Sequence, residues 1–216
     1  MEKNFNLSVK DIDVSSLTPE KQIEEALKRN RIYSSIIDKD LLKENLQGQK
    51  PAYFVLSCVD SRLVPSNVMG MAPGDVLCHR NIANTCFEDD LSVNSAITFA
   101  IDVLNIKHLI IMGHQDCGGL IFSINGNNKC FMGDYLKRVR KTYEDHHVEI
   151  DEIQNKLYKS QRLAELHAIS QAHHVLNHPL VQKHRNSTGY PKVHAWVYIL
   201  ETGLIKDLEF EQHKNE

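Results

Sequence analysis

The sequence lacks any stretch able to cross a bilayer as a helix. Spanning takes about 20 consecutive apolar residues, and the strongest apolar run is Leu-Ile-Ile-Met at 109–112. Basic residues are not in surplus: 25 Lys and Arg face 28 Asp and Glu, a net charge of −3, so there is no electrostatic footprint for nucleic acid. Neither G-x-G-x-x-G nor a Walker loop occurs, which leaves no phosphate cradle for a nucleotide. Internal repeats and low-complexity tracts are also missing. The first 20 residues hold no signal-peptide core, and they carry acidic residues without arginine, unlike a transit peptide. The expected location is therefore the cytoplasm. Five cysteines make an odd number, and in a reducing compartment they serve as free thiols, metal ligands or catalytic groups rather than as a disulfide framework.

What is present describes an ordinary globular chain. Its 216 residues are 42% hydrophobic and 25% charged, enough for one domain with its own core. We expect a single domain over 1–216 with an N-terminal helical arm at about 1–47. Thr18-Pro19 reads as an N-cap with proline at the first helical position, opening a helix to about residue 31. A mixed segment then leads to Gly48. AYFVLS at 52–57, DVLC at 75–78 and HLIIM at 108–112 read as short buried strands. Ser92 can cap a helix whose apolar face includes Val93, Ala96, Ile97, Ala100, Val103 and Leu104. The stretch 133–178 is charged and largely helical, with Leu163, Leu166, Ile169 and Leu176 on one face and Pro179 as its stop. The histidine doublets 146–147 and 173–174 read as solvated helix. KVHAWVYIL and LIKDLEF flank Glu201-Thr202-Gly203 as a hairpin. Strands alternating with helices imply an α/β fold: a mainly parallel central sheet covered by helices, with the C-terminal hairpin adding an edge.

Cys58 ends the first predicted strand, and His114 and Cys117 follow the third. Ligands in open α/β sheets gather beyond the carboxyl ends of strands, so the fold can bring these distant residues together. Two thiolates and an imidazole suit zinc, and three protein ligands leave a position open for chemistry. An isolated H-x-x-C is a weak signal, and free cysteines are often core residues. Cys78, Cys86 and Cys130 remain as further potential ligands, read here as core or ordinary thiols. In Cys-Val-Asp-Ser-Arg at 58–62, alternate residues of an extended segment share a side. Arg62 can then clamp Asp60 in two-point geometry and keep it ionised. The bland alternative is a loop-stabilising ion pair. Gly118 and Gly119 let backbone approach a small ligand, or simply open a helix.

With these residues in place, the chain resembles the β-class carbonic anhydrases. CVDSR at 58–62 is similar to the family's C-x-D-S-R, HRNIAN at 79–84 to its R-N-x-A-N, and GHQDCGG at 113–119 to its G-H-x-x-C-G-G. GQKP at 48–51 and VHAWVY at 193–198 also fit, and the similarity runs from about Asn30 to about Leu208. The resemblance implies reversible hydration of CO2 to bicarbonate and a proton, with Zn2+ held by Cys58, His114 and Cys117. It implies that the Asp60–Arg62 dyad orients the attacking nucleophile, and that this aspartate can instead swing onto the metal at lower pH. It further implies substrate contacts from Gln49, usually of a neighbouring subunit, an apolar pocket including Leu77, Ile82 and Phe99, and a backbone N–H at Gly118. A homodimer, often paired into tetramers, is the implied assembly, with N-terminal helices wrapping the partner and neither nucleic acid nor membrane involved. Phe99 stands where many members have tyrosine. Arg80 and Tyr198 match a second, inhibitory bicarbonate site of some members, but Val55 stands at its tryptophan position. The same ligand set would serve a carbon disulfide or carbonyl sulfide hydrolase on this scaffold. A non-catalytic zinc-binding protein would have no need of the dyad.

Overall fold

The computed structural model describes residues 13–125 and 132–211. Its contacts divide the chain into two units, 1–49 and 50–216. In the first, α1 (Pro19–Ile36) starts as expected: the Thr18 side chain accepts the Lys21 N–H and Pro19 occupies the first turn. The helix runs on to Ile36, beyond the expected stop near residue 31. Glu25 pairs with Arg29 at 2.8 Å along its length, an i,i+4 contact that favours continuation. The mixed segment resolves into α2 (Lys39–Leu46), capped by Asp38, whose carboxylate accepts the Asp40 N–H at 2.9 Å.

The second unit is built on five strands: β1 (Tyr53–Cys58), β2 (Val76–Asn81), β3 (His108–His114), β4 (Lys192–Ile199) and β5 (Leu204–Asp207). Their order is β2-β1-β3-β4-β5. The first four run parallel, and β5 pairs antiparallel with β4, as the hairpin reading expected. Parallel neighbours require crossovers, which helices supply. These are α3 (Pro65–Val68), α4 (Leu91–Thr98), α5 (Gly118–Asn125), α6 (Gly133–Glu152), α7 (Lys156–Asn177) and α8 (Pro179–Thr188). Among the described residues no helix is long and apolar enough to cross a membrane.

The starts of two helices in this unit also differ from the expectation. Asp90, rather than Ser92, caps α4, because its carboxylate accepts the N–H groups of both Ser92 and Val93. Pro179 does stop α7, but its missing N–H and fixed φ suit the first turn of a helix equally well, so it also opens α8.

The main core lies between the sheet and α4–α7. Phe54, Leu56, Leu109 and Ile111 are fully buried on that face. Helix α7 lies close to the sheet through Ala164, Ala168 and Ala172, all at most 1% exposed. Gly113 in β3 permits this approach, since a Cβ there would stand 3.3 Å from the Ala164 carbonyl oxygen. Val55, Leu63, Ile110 and Met112 form a smaller apolar layer on the other face. The doublets His146–His147 and His173–His174 face solvent, as expected.

One histidine is fully built in. His167 of α7 is 1% exposed. Its Nδ1 accepts from the Thr142 hydroxyl at 2.8 Å, and its Nε2 donates to the Ala83 carbonyl at 2.9 Å. Burial holds its pKa down at about 4, so the ring is neutral. An unfolded histidine takes up its proton near pH 6.5. The folded state therefore keeps its full advantage above that pH and loses it as the pH falls toward 4. We predict that His167→Gln, which retains an N–H for Ala83, flattens stability between pH 7.5 and 4.5 by on the order of 3 kcal/mol relative to the native chain. Urea midpoints at both pH values measure this, and parallel losses in the two proteins would refute it.

Candidate metal centre

Cys58 is the last residue of β1 and His114 the last of β3, and these strands are neighbours. Both side chains therefore reach the carboxyl edge of the sheet. Asp116, at φ +57, turns the chain back after His114, and Cys117 follows immediately before α5. The Cys58 and Cys117 Sγ atoms stand 3.9 Å apart. The two sulfurs and a ring nitrogen of His114 all lie within 4.8 Å of one another. The three residues are 4%, 0% and 1% exposed, so water does not satisfy them.

The hydrogen bonding fits a metal. His114 Nδ1 donates to the Gln115 carbonyl at 2.9 Å, which fixes the tautomer and leaves the Nε2 lone pair toward the sulfurs. That Nε2 is buried and has no hydrogen-bond partner among the described residues. Leaving such an atom unpaired costs about 1–3 kcal/mol, which a bound cation would offset. Cys58 Sγ accepts the Ala83 N–H at 3.4 Å. Its pKa is lowered, chiefly by the hydrogen bond from Cys117, against the opposing effect of burial. Cys117 is correspondingly held protonated by the same partner and by its own burial. The pair thus shares a proton that a divalent metal displaces. Two sulfurs and one imidazole nitrogen form a set suited to zinc-like ions.

Next to this triad lies the expected dyad. Arg62 donates from Nε to Asp60 Oδ1 at 2.9 Å and from NH2 to Asp60 Oδ2 at 2.8 Å. The Arg62 backbone N–H adds a third bond to Oδ1 at 2.9 Å. This fork outweighs partial burial and draws the Asp60 pKa down to about 2. Asp60 Oδ2 is 3.8 Å from the unpartnered His114 Nε2, so the ionised carboxylate borders the metal position. Arg80 supports the loop from below, donating to the carbonyls of Cys58, Asp60 and Leu63 at 3.1, 2.8 and 2.7 Å. The opposite edge of Arg62 reaches Asp116, a contact that the sequence reading did not anticipate.

A cleft of 320 Å³ opens beside Cys58 and Asp60. Ile82 and Gly118 line it as expected, together with Val59, Phe122, Met132 and Leu136, which were not foreseen. Phe122 stands one helical turn after Gly118, a signal readable only once α5 is recognised. The other expected pocket residues do not converge there within the second unit. Leu77 packs half-buried against the main core, and Phe99 is 40% exposed on a π-helical turn continuing α4. Gln49 ends the first unit. Among the other cysteines, Cys78 is exposed on β2 and Cys86 is buried, its thiol pushed up to about 12 by burial. Neither belongs to the ligand cluster, and Cys130 lies outside the described residues.

A buried Cys-His-Cys set at the carboxyl edge of a mainly parallel sheet, flanked by an ionised carboxylate, defines a metal-dependent enzyme of α/β class. Comparison with known proteins agrees. A family model described as carbonic anhydrase matches residues 53–205. The carbonic anhydrase of Emericella nidulans is 34% identical over 174 residues, covering 81% of this chain and 76% of the relative. That of Helicobacter pylori strain J99 is 32% identical over 190 residues, covering 81% and 84%. A tetrameric β-carbonic anhydrase from Sordaria macrospora superposes with a TM-score of 0.82 at 27% identity, over 88% of this chain and 98% of the other. The β-carbonic anhydrase CafA of Aspergillus fumigatus gives 0.82 at 29% identity, over 88% and 91%. This chain belongs to the carbonic anhydrase family, in its β class.

The two glycines after Cys117 have different steric surroundings. A Cβ on Gly119 would stand 2.6 Å from Ile82 Cγ2 and 3.4 Å from the Ala83 Cβ, whereas one on Gly118 would meet nothing within 4 Å. Gly119→Ala must therefore push back the turn whose Ala83 N–H bonds Cys58. We predict that Gly119→Ala lowers stability by about 1–3 kcal/mol and weakens metal retention against a chelator, while Gly118→Ala changes neither. Melting curves and chelator titration of both variants check this, and equal behaviour would refute it.

Proposed function

We propose that the chain catalyses the reversible hydration of CO2 to bicarbonate and a proton, with Zn2+ held by Cys58, His114 and Cys117. The observation that carries this reading is the unpartnered His114 Nε2, converging with two sulfurs beside a carboxylate kept ionised by Arg62. When bound, zinc supplies a Lewis acid that makes water a better nucleophile. The protein residues do the rest. Asp60, ionised and acceptor-only, takes a hydrogen bond from the nucleophile and turns its lone pair toward the cleft. Ile82 and Phe122 offer an apolar wall suited to a small neutral molecule. The Gly118 N–H, near the start of α5, offers a donor to the negative charge that develops on oxygen.

The pocket is completed, in this reading, by a second copy of the chain. The Sordaria macrospora relative is a tetramer, and a homodimer or tetramer here would draw Gln49, Leu77 and Phe99 into use. Apolar side chains left exposed on α1 and α2, among them Ile23 at 66% and Leu46 at 83%, suit burial by a partner. A cytoplasmic location would keep Cys58 and Cys117 reduced and available to the metal.

Stopped-flow CO2 hydration on protein of known metal content tests the reading. Turnover that requires zinc is expected, and one zinc per chain without turnover would shift the assignment to a carbon disulfide or carbonyl sulfide hydrolase or to a non-catalytic zinc-binding protein. Cys117→Ser is expected to lose metal and activity together. Asp60→Asn is expected to retain metal but lose on the order of 100-fold in rate. Full activity in Asp60→Asn would remove the carboxylate from the mechanism.

A further inference from the structure

We propose that Asp116 is a positioning residue for this reaction: it grips the outer edge of the Arg62 guanidinium and so fixes the plane in which Arg62 aims the Asp60 carboxylate. The kinetic consequence rests on the CO2-hydration reading, whereas the clamp itself rests on geometry alone.

Arg62 is 46% exposed and sits on a flexible stem. Its fork onto Asp60 joins two side chains only two residues apart, and such a pair can swing as one body. A second anchor removes that freedom. Arg62 NH1 donates to Asp116 Oδ2 at 3.0 Å, and NH2 donates to the Asp116 carbonyl oxygen at 3.0 Å. NH2 thereby bridges Asp116 and Asp60, whose Oδ2 it holds at 2.8 Å. Three guanidinium nitrogens are thus engaged, Nε and NH2 on Asp60 and NH1 and NH2 on Asp116.

Asp116 is itself well placed to be an anchor. It lies between His114 and Cys117, so it moves with two metal ligands. Its backbone N–H donates to Ser160 Oγ of α7 at 3.3 Å. At φ +57 it adopts the left-handed conformation that aspartate tolerates better than most residues. The residue that turns the chain between two ligands therefore also ties the dyad to them. The ion pair joins side chains 46% and 47% exposed, and such pairs add little stability. Its removal should therefore appear in rate rather than in folding.

The experiment is CO2 hydration, metal content and melting temperature for the native chain, D116A, D116N, D116G, R62A and the R62A/D116A double variant. D116A should keep its metal, melt somewhat lower because alanine fits the left-handed backbone less well, and lose about 10- to 100-fold in kcat, with KM moving far less. D116N, which still offers an acceptor oxygen, should recover most of that loss. D116G relieves the left-handed backbone without restoring the side chain, and should stay slow. In the R62A background D116A should add nothing, because the two residues act as a unit. Full kcat in D116A or D116G, or an equal further loss on top of R62A, would overturn the proposal. A readout independent of the reaction is the solvent exchange of the Arg62 Nε–H followed by 15N NMR. It should quicken severalfold in D116A and return in D116N. Unchanged exchange would dismiss the clamp. Faster exchange in a chain whose native form does not hydrate CO2 would keep the clamp and remove its role in hydration.

Discussion

A buried imidazole nitrogen with no hydrogen-bond partner among the described residues is the constraint around which this chain is organised. His114 sits at the end of a strand covered on both faces, and its Nδ1 is already committed to the Gln115 carbonyl. The remaining Nε2 has a demand that the fold leaves open. Cys58 and Cys117 meet that demand only in company with a metal, since two neighbouring thiols prefer to share one proton. Sheet topology makes the arrangement possible: β1 and β3 are adjacent, so two ligands separated by 56 residues end side by side.

Holding this edge together requires strain elsewhere. Ala83 and Asn84 both adopt left-handed backbone, at φ 61 and 47, unusual for residues other than glycine. The turn persists because it is bonded from several directions. His167 donates to the Ala83 carbonyl, Tyr135 donates to the Ile82 carbonyl at 2.6 Å, and the Asn81 side chain spans the Thr85 backbone at 2.8 Å on both its N–H and its carbonyl. The Gln171 side chain takes the Cys86 N–H at 2.8 Å. The turn, held in this conformation by its surroundings, places the Ala83 N–H on Cys58 and the Ile82 side chain in the cleft. Arg80 does related work from below. Its donors go to three backbone carbonyls of the 58–63 loop, so here it serves as a strut for the segment carrying Cys58 and Asp60.

Much of this was legible in the residues. Short apolar runs gave away β1 and β3, and cysteine and histidine at their carboxyl ends pointed to a metal. Asp60 and Arg62 form the expected fork, but across a turn closed by the Leu63 N–H on the Asp60 carbonyl rather than along an extended segment. Local patterns failed where two chemistries compete for one position. Proline ends a helix and begins another with equal ease, which hid α8. Asp90 outcompeted Ser92 because a carboxylate can accept two N–H groups at once. Helix α5 opens on the two glycines, one of the alternatives weighed for them, but its cleft-facing Phe122 was not foreseen. The supporting contacts of His167 and Arg80 join residues 84 and between 17 and 22 positions apart, and no local pattern carries that information.

Sharing one guanidinium between two carboxylates has an electrostatic corollary. Arg62 brings one positive charge to Asp60 and Asp116, so the trio carries one net negative charge. Two thiolates would balance a divalent ion, and the Arg80 guanidinium, donating to the Asp60 carbonyl at 2.8 Å, offsets that excess. A neutral gas molecule enters such a field without penalty. An anion formed inside it finds no surplus positive charge to hold it there. The arrangement that orients the carboxylate thereby also favours emptying the cleft after each turnover.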